Sequence, residues 1–394
     1  MHLVVIFYNI GGYHAARLRE TYNICQKKRW QFTAVEVTDN TSDRPWGDVS
    51  SFMSFPIKTL LPTNTNDRTV DRSPNSQVAA SLIVNCLKDL KPDMVAIPGW
   101  GFPVSRSALS WCQQNKIPTI LMSESKWDDS PRQWWKELVK SQLYIKKFDA
   151  ALVGCQLHKD YLVKLGFPSR RVFLGYDVVD NEYFSMGASL ARDNLDNVRN
   201  QEPNIPNRPY FLAATRFIER KNITKLVEAY ALYNRVVGLE DSWDLVICGS
   251  GQESEKIEKI VKENQLENRI HFPGFITYDR TFYWYGLASA FVHSALQEQW
   301  GLVINEACAA GLPILSSKTV GAARELVIDG ENGWLFDPED TQDIANALLR
   351  MYRLDDATRK QMGITSQKIV DRYHPQVFAR GIFDAIDSTL LVRK

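Results

Sequence analysis

Two glutamates, Glu298 and Glu306, stand eight residues apart in EQWGLVINEACAAGLP (298–313), a stretch that is otherwise apolar and glycine-bearing. An ionised carboxylate is costly to bury without a partner. Either both side chains reach solvent, or a polar ligand meets them. Gly301 and Leu302 are expected to open a helix, with Glu306 about one turn inside and Glu298 before its start. Backbone N–H groups at such a start attract an anion. Carboxylates repel phosphate but accept well from sugar hydroxyls. A sugar joined to a phosphate satisfies both demands.

A second set of polar residues lies in ATRFIERKN (214–222), just after an expected strand. Arg216 and Lys221 close to a helix start suit a diphosphate, and Arg220 and Lys225 add to the field. The competing reading is a solvated basic helix start, although cations there oppose the helix dipole. Gly249 and Gly251 in CGSGQE (248–253) end another strand; they serve either ligand approach or a tight turn. Gly11 and Gly12, directly after the first strand in YNIGGYHAAR (8–17), are better placed for close approach of backbone to ligand. His14 in that loop is a candidate ligand contact. His158 and His293 read as structural. No phosphate loop of the G-x-x-x-x-G-K-[ST] type and no carboxylate- or histidine-rich metal set occurs. Asp128 and Asp129 in WDDS read as a loop.

These residues need a scaffold that brings loop ends together. Short apolar runs without in/out alternation fall at 3–9, 32–37, 94–99, 119–123, 150–154 and 172–176, and again at 210–215, 244–250, 270–275, 290–295, 313–318 and 333–336. Strands covered on both faces read this way. Helical patterns fill the gaps, for example at 222–235 and 253–264. The pattern implies an α/β chain of two doubly wound, Rossmann-like domains. The expected division is 1–190 for an acceptor-binding domain, 191–208 for a polar linker, 209–373 for a nucleotide-sugar-binding domain and 374–394 for a helix crossing back to the first domain. Ligands of such sheets bind beyond the carboxyl ends of strands, where the candidate residues stand. The polar stretch 38–77 is too long for an ordinary connection, and such loops are usually functional or mobile.

The 394 residues carry a net charge of +1, so no global field argues for nucleic acid. Hydrophobic content of 44% and charged content of 24% describe a globular chain. The six cysteines form no C-x-x-C pair, which suggests reduced thiols and a cytoplasmic protein. MHLVVIFYNIGG lacks the basic region and cleavage site of a signal peptide, and no apolar run approaches membrane-spanning length. The segment 126–148 interleaves Trp127, Trp134, Trp135, Leu138 and Leu143 with four lysines. It reads either as a basic amphipathic helix on an anionic membrane or, preferred, as a crossover helix whose apolar stripe packs on the sheet.

The stretch VHSALQEQWGLVINEACAAGLPILSSKTVGAARELVIDGENGWLFDPED (292–340) resembles the signature of the retaining glycosyltransferases of family 4, of the polysaccharide-assembly type. Glu298 and Glu306 match its E-x7-E motif, Gly311 and Pro313 the next element, and Gly321, Glu325, Gly330 and Gly333 the last. TRFIERKN resembles the diphosphate-binding Arg and Lys of that family, with Asn222 where glycine is usual. GYDVVD (175–180) stands in place of the commoner P-N-G-V-D. The resemblance covers 150–394 strongly and the first half loosely.

It implies the GT-B fold, two facing Rossmann-like domains. Glu306 would hold ribose hydroxyls, Glu298 the transferred sugar, and backbone amides of Gly301, Leu302 and Val303 the donor. Phe275 and Ile276 would read the base. Arg216 and Lys221 would take charge on the leaving diphosphate, so neither a metal nor any cofactor beyond the donor is required. TILMSES (119–125) resembles a segment that often carries a histidine near the reacting carbon; Glu124 occupies that place and is a candidate contact to a sugar. The implied activity is retaining hexosyl transfer from a nucleotide-diphosphate sugar, UDP-glucose or a related UDP-hexose, to a growing or lipid-linked glycan in polysaccharide synthesis. Its place would be the cytoplasm, peripheral at the inner face of the plasma membrane. Rival readings are a GT-B phosphorylase or epimerase, and a nucleotide-sugar-binding protein without turnover.

Overall fold

The computed structural model describes residues 1–39, 47, 49–63, 71–73, 75–129 and 132–393. Residues 40–46, 48, 64–70 and 74 of the expected functional loop at 38–77 lie outside the described residues, and the rest includes a short strand, Ile57–Thr59. The chain forms two units, Met1–Val179 with Tyr373–Lys394, and Asp180–Arg372.

The first unit is built on seven parallel strands: β1 (His2–Phe7), β2 (Gln31–Glu36), β3 (Ile57–Thr59), β4 (Met94–Pro98), β5 (Thr119–Ser123), β6 (Ala150–Val153) and β7 (Val172–Leu174). Their order is β3-β2-β1-β4-β5-β6-β7. Alternate residues of one strand enter different cores. Val4 and Ile6 pack with Val95, Ile97 and Leu121 on one face, whereas Leu3, Val5 and Phe7 pack with Met94, Ala96 and Ile120 on the other. Both faces are covered, which explains the unbroken apolar runs. The final helix, Pro375–Arg393, belongs to this unit and buries Phe378, Ile382 and Ile386 in the second of these cores.

The second unit holds β8 (Tyr210–Ala214), β9 (Asp244–Cys248), β10 (Ile270–Gly274), β11 (Ala290–His293), β12 (Ile314–Ser317) and β13 (Gly333–Phe336). Their order is β10-β9-β8-β11-β12-β13, all parallel. Each sheet reverses direction of growth beside its first strand. In the second unit that switch point lies between β8 and β11, and at such a point ligands of open parallel sheets bind.

The stretch expected as a linker is not one. Helices Asn181–Asp193 and Leu195–Gln201 run through it and belong to the second unit. Asp180 caps the first helix by accepting from Tyr183 N at 3.2 Å. The buried face of that helix is Phe184, Gly187, Ala188 and Ala191, spaced at helical intervals but small. A Cβ on Gly187 would lie 2.5 Å from the Phe282 ring, and one on Gly286 would lie 2.8 Å from Ala191. The small residues thus permit close packing against helix Tyr278–Leu287, while Arg192 donates to Gly286 O (2.9 Å) and Ala310 O (2.6 Å). Small side chains carry little hydropathy, so the helix had no apolar signature to read.

The preferred reading of 126–148 is also corrected. Helix Trp134–Leu143 buries Glu137 and Ser141 and turns its apolar stripe to solvent. Trp134 is 76% exposed, Trp135 51% and Leu138 52%. Polar contacts hold the inner face: Tyr161 Oη donates to Glu137 (2.5 Å), Lys140 pairs with Glu137 (2.8 Å) and Ser141 Oγ donates to Leu165 O (2.5 Å). The adjacent acids do lie in a loop, as expected, and both are paired there. Asp128 pairs with buried Lys126 at 2.7 Å, and Asp129 pairs with Arg132.

Candidate functional site

The loops after β8 and β11 are fastened to each other by their backbones. Leu296 N donates to Arg220 O (2.8 Å), and Ser294 Oγ donates to Lys221 O (3.1 Å). Asn222 adopts the left-handed conformation (φ 59°, ψ 36°) at the start of helix Ile223–Val237. Glycine and asparagine tolerate that conformation best, which accounts for asparagine where the related motif has glycine. Its amide also donates to Ser294 O (3.2 Å) and Pro338 O (2.8 Å), tying three strand-end loops together. This is the local reason that Lys221 reaches Glu298, 77 residues on, and forms an ion pair with it.

Both side chains of that pair are mostly buried but keep some exposure (11% and 13%). Behind them His293 is buried, with Nε2 at 3.7 Å from Glu298 Oε2 and no hydrogen-bond partner among the described residues. Burial, aided by the Lys221 charge, holds its pKa well below the usual histidine range, so it faces the pair as neutral imidazole. Sequence reading treated His293 as structural. Its distance from Glu298 is created by the strand-to-loop turn and has no sequence signal. Arg216, partly exposed, stands on the same loop as Lys221.

Gly301 opens helix Leu302–Ala309 with φ +104°, a conformation that favours glycine. A side chain there would also press on Val320 (3.1 Å) and on Glu298 itself (3.2 Å). Leu302 and Val303, at the first turn, are partly exposed. Their N–H groups belong to the first turn, where no carbonyl of the helix itself can accept. Glu306 lies one turn inside and accepts from Tyr285 Oη at 2.8 Å. The side chain keeps an exposed edge, while its carboxyl is closely surrounded by protein. Burial pushes its pKa up to about 7, against the lowering effect of Tyr285. Tyr285 is a contact that sequence reading missed; it sits on a different helix and only the fold brings it in.

Gly249 and Gly251 have a structural explanation. A Cβ on Gly249 would fall 1.8 Å from Thr215 O, and one on Gly251 2.4 Å from Phe217 O. They make room for the 215–217 loop and so seat Arg216. Phe275 (44% exposed) and Ile276 follow β10 on its carboxyl side. Among the described residues no group of three or more His, Cys, Asp or Glu could hold a metal.

In the first unit, Gly11 precedes helix Gly12–Lys27 and its N–H donates to His14 Nδ1 at 3.2 Å. His14 is buried against the Phe7 and Tyr13 rings, at 4.4 and 4.2 Å. Glu124 follows β5 and is partly exposed. The candidates thus fall into two groups: Arg216, Lys221, Glu298, Glu306 and the 301–303 backbone in the second unit, and Gly11, Gly12, His14 and Glu124 in the first.

Comparison with known proteins agrees with this geometry. A segment is 31% identical over 159 residues to sucrose-phosphate synthase of Zea mays, covering 37% of this chain and 15% of that protein. Another is 31% identical over 140 residues to the lipopolysaccharide core biosynthesis glycosyltransferase LpsE of Rhizobium meliloti, covering 36% of this chain and 38% of that one. The chain thus spans well under half the length of these relatives. The structure of Anabaena HepE in complex with UDP and glucose superposes with a TM-score of 0.72 at 16% identity, over 98% of this chain and all of that one. At such identity the likeness shows the fold, which is that of GT-B glycosyltransferases, two Rossmann-like domains. Residues 195–369, which contain the second-unit site and nearly all of its scaffold, match the family model of glycosyl transferases group 1.

Proposed function

We propose that the protein is a retaining hexosyltransferase that uses a nucleotide-diphosphate sugar, UDP-glucose or a related UDP-hexose, and extends a glycan. The observation that carries this reading is the convergence of Lys221, Glu298, Glu306 and a helix start on one strand-end crevice, at the switch point between β8 and β11. The match of 195–369 to group 1 glycosyltransferases supports it, and the UDP and glucose bound by HepE favour that donor.

Arg216 and Lys221 would bind the diphosphate, with the 301–303 amides. Glu298 would accept from hydroxyls of the transferred sugar and Glu306 from the ribose. As the bond from the anomeric carbon to the diphosphate oxygen breaks, negative charge grows on that oxygen. A cation placed there before the reaction stabilises the transition state by about 3 kcal/mol. The acceptor hydroxyl forms the new bond on the same face, and its proton passes to the departing diphosphate. Two cations and a helix start replace a divalent ion, so the transfer should survive EDTA. Release of UDP from UDP-glucose on addition of glycan acceptor tests the reading. Donor binding without release under any acceptor would favour a binding protein instead.

We also propose that the protein works at a membrane surface, a reading that helix Trp134–Leu143 supports. Folding does not account for an apolar face turned outward while a carboxylate is buried behind it. The exposed charges flanking that face are Lys136, Lys146 and Lys147, and the acid of this helix, Glu137, is turned inward. Trp and Leu beside exposed lysines suit an anionic bilayer. No described helix is long and apolar enough to cross a membrane. Cosedimentation with vesicles containing phosphatidylglycerol, and not with neutral vesicles, is the expected result. Equal recovery in both, or self-association through this face in sedimentation velocity, would remove the membrane.

A further inference from the structure

His293 is the last residue of β11 and stands in register with Ser316 of β12. It is 3% exposed, and its ring lies 6.3 Å from that of Phe291 and nearly parallel to it, at 15°. The sheet and its neighbours thus hold the ring in place. Its Nε2 has no hydrogen-bond partner among the described residues. Glu298 Oε2 stands 3.7 Å away, about 0.8 Å longer than an ordinary N–H···O bond. A neutral imidazole has one N–H. A lone pair on Nε2 would face the carboxylate oxygen, so the proton belongs on Nε2. A buried donor is costly to leave without an acceptor.

In the free protein the Glu298 carboxylate is engaged by Lys221. The two groups beside Glu298 differ in freedom. Ser294 Oγ holds the Lys221 carbonyl at 3.1 Å and Leu296 N the Arg220 carbonyl at 2.8 Å, so the backbone of that loop is fixed. The ammonium, however, ends a flexible four-carbon stem. Gly301 leaves the carboxylate room: a Cβ there would lie 3.2 Å from Glu298 Cγ and 3.9 Å from His293 Nε2. A diphosphate carries more negative charge than a carboxylate and draws the ammonium to itself. Glu298 would then stand unpaired in a mostly buried place beside an anion, which is costly. A neutral donor offsets that cost and adds no second cation to compete for the diphosphate.

We propose that His293 is a positioning residue that takes Glu298 over when Lys221 leaves: Nε2–H donates to one carboxylate oxygen, and the other is left to accept from a hydroxyl of the transferred sugar. The Lys221–Glu298 pair of the free protein therefore masks both side chains, and the donor unmasks them together. That the ligand is a nucleotide-diphosphate sugar rests on the glycosyltransferase reading; the pairing of His293 with Glu298 does not.

Nuclear magnetic resonance of the whole chain carrying 15N-labelled histidine reads six side chains, and the signal lost in His293→Gln is that of His293. Lys221→Met releases Glu298 without any ligand. In that variant the Hε2 proton of His293 should move downfield, and adding Glu298→Ala should cancel the shift. An unmoved resonance, or a shift that survives Glu298→Ala, overturns the proposal. UDP should produce the same shift in the wild type; UDP bound by calorimetry with no shift overturns the handover. In transfer assays with UDP-glucose, His293→Leu should lower kcat about tenfold while UDP affinity stays within about twofold. His293→Gln, whose amide also offers a neutral donor, should restore most of kcat. Equal kcat in the two variants, or a parallel loss of UDP affinity, would refute the positioning role. A shift in Lys221→Met, with neither UDP nor UDP-glucose bound by the wild type, would refute the glycosyltransferase reading and leave the pairing standing.

Discussion

The carboxyl edges of the two sheets share one strand order around their switch points yet handle charge in opposite ways. In the second unit Lys221, Glu298, Arg216 and Glu306 all keep some exposure, and the loops carrying them are braced by backbone bonds and by Asn222. In the first unit Arg17, His158 and Asp177 have none. An edge that meets a charged ligand leaves its charges available and braces them from behind.

The sharpest way to break that comparison is to remove the open cations. Arg216→Ala and Lys221→Ala should each lower UDP release from UDP-glucose about 100-fold or more. An unchanged rate for either would take it out of the mechanism and weaken the contrast between the edges.

Bracing is tested at Asn222. Asn222→Ala places a Cβ in a left-handed conformation, at about 1–2 kcal/mol, and loses two buried hydrogen bonds. Chemical denaturation should show a loss of about 2–4 kcal/mol in all. Asn222→Gly keeps the conformation and should lose less. Equal losses would mean that the hydrogen bonds alone matter.

The charge of Glu306 sharpens the comparison through pH. Sugar hydroxyls donate, so the bound carboxyl must be ionised. With the free pKa at about 7, donor affinity measured by calorimetry should be full above pH 8. It should fall by up to about tenfold per unit below 7. The stability contribution of the free protein runs the other way. A folded carboxyl pKa raised above its unfolded value stabilises most at low pH, and that stabilisation fades as pH rises toward 7. Donor affinity flat from pH 6 to 8 would remove Glu306 from the site.

The smallest effect is expected where the first unit is most exposed. Trp134→Ala with Trp135→Ala should leave stability within about 0.5 kcal/mol per site while abolishing recovery with anionic vesicles. A large fall in melting temperature would show that the face is packed rather than presented.

How far these features were legible in the sequence depends on whether the signal is local. Buried parallel strands are, since each is a short apolar run. Twelve such runs were expected, and β3, a three-residue edge strand with exposed residues, left no such trace. The E-x7-E spacing and the cations of 214–222 were readable because one loop and one helix turn fix each. Helix Asn181–Asp193 was hidden because glycine and alanine form its buried face. Helix Trp134–Leu143 was read with the wrong face inward, because periodicity gives the stripe but not which side the core takes.

What the sequence by itself determined is the alternation of strands and helices, the two doubly wound sheets and the polar residues standing at strand ends. Tertiary structure alone decided which of those residues meet: Lys221 with Glu298, and Tyr285 with Glu306. Burial, which raises the pKa of Glu306 and of Asp177, was decided there too. Hydrophobic periodicity is a property of neighbours in the chain, whereas electrostatics is a property of neighbours in space.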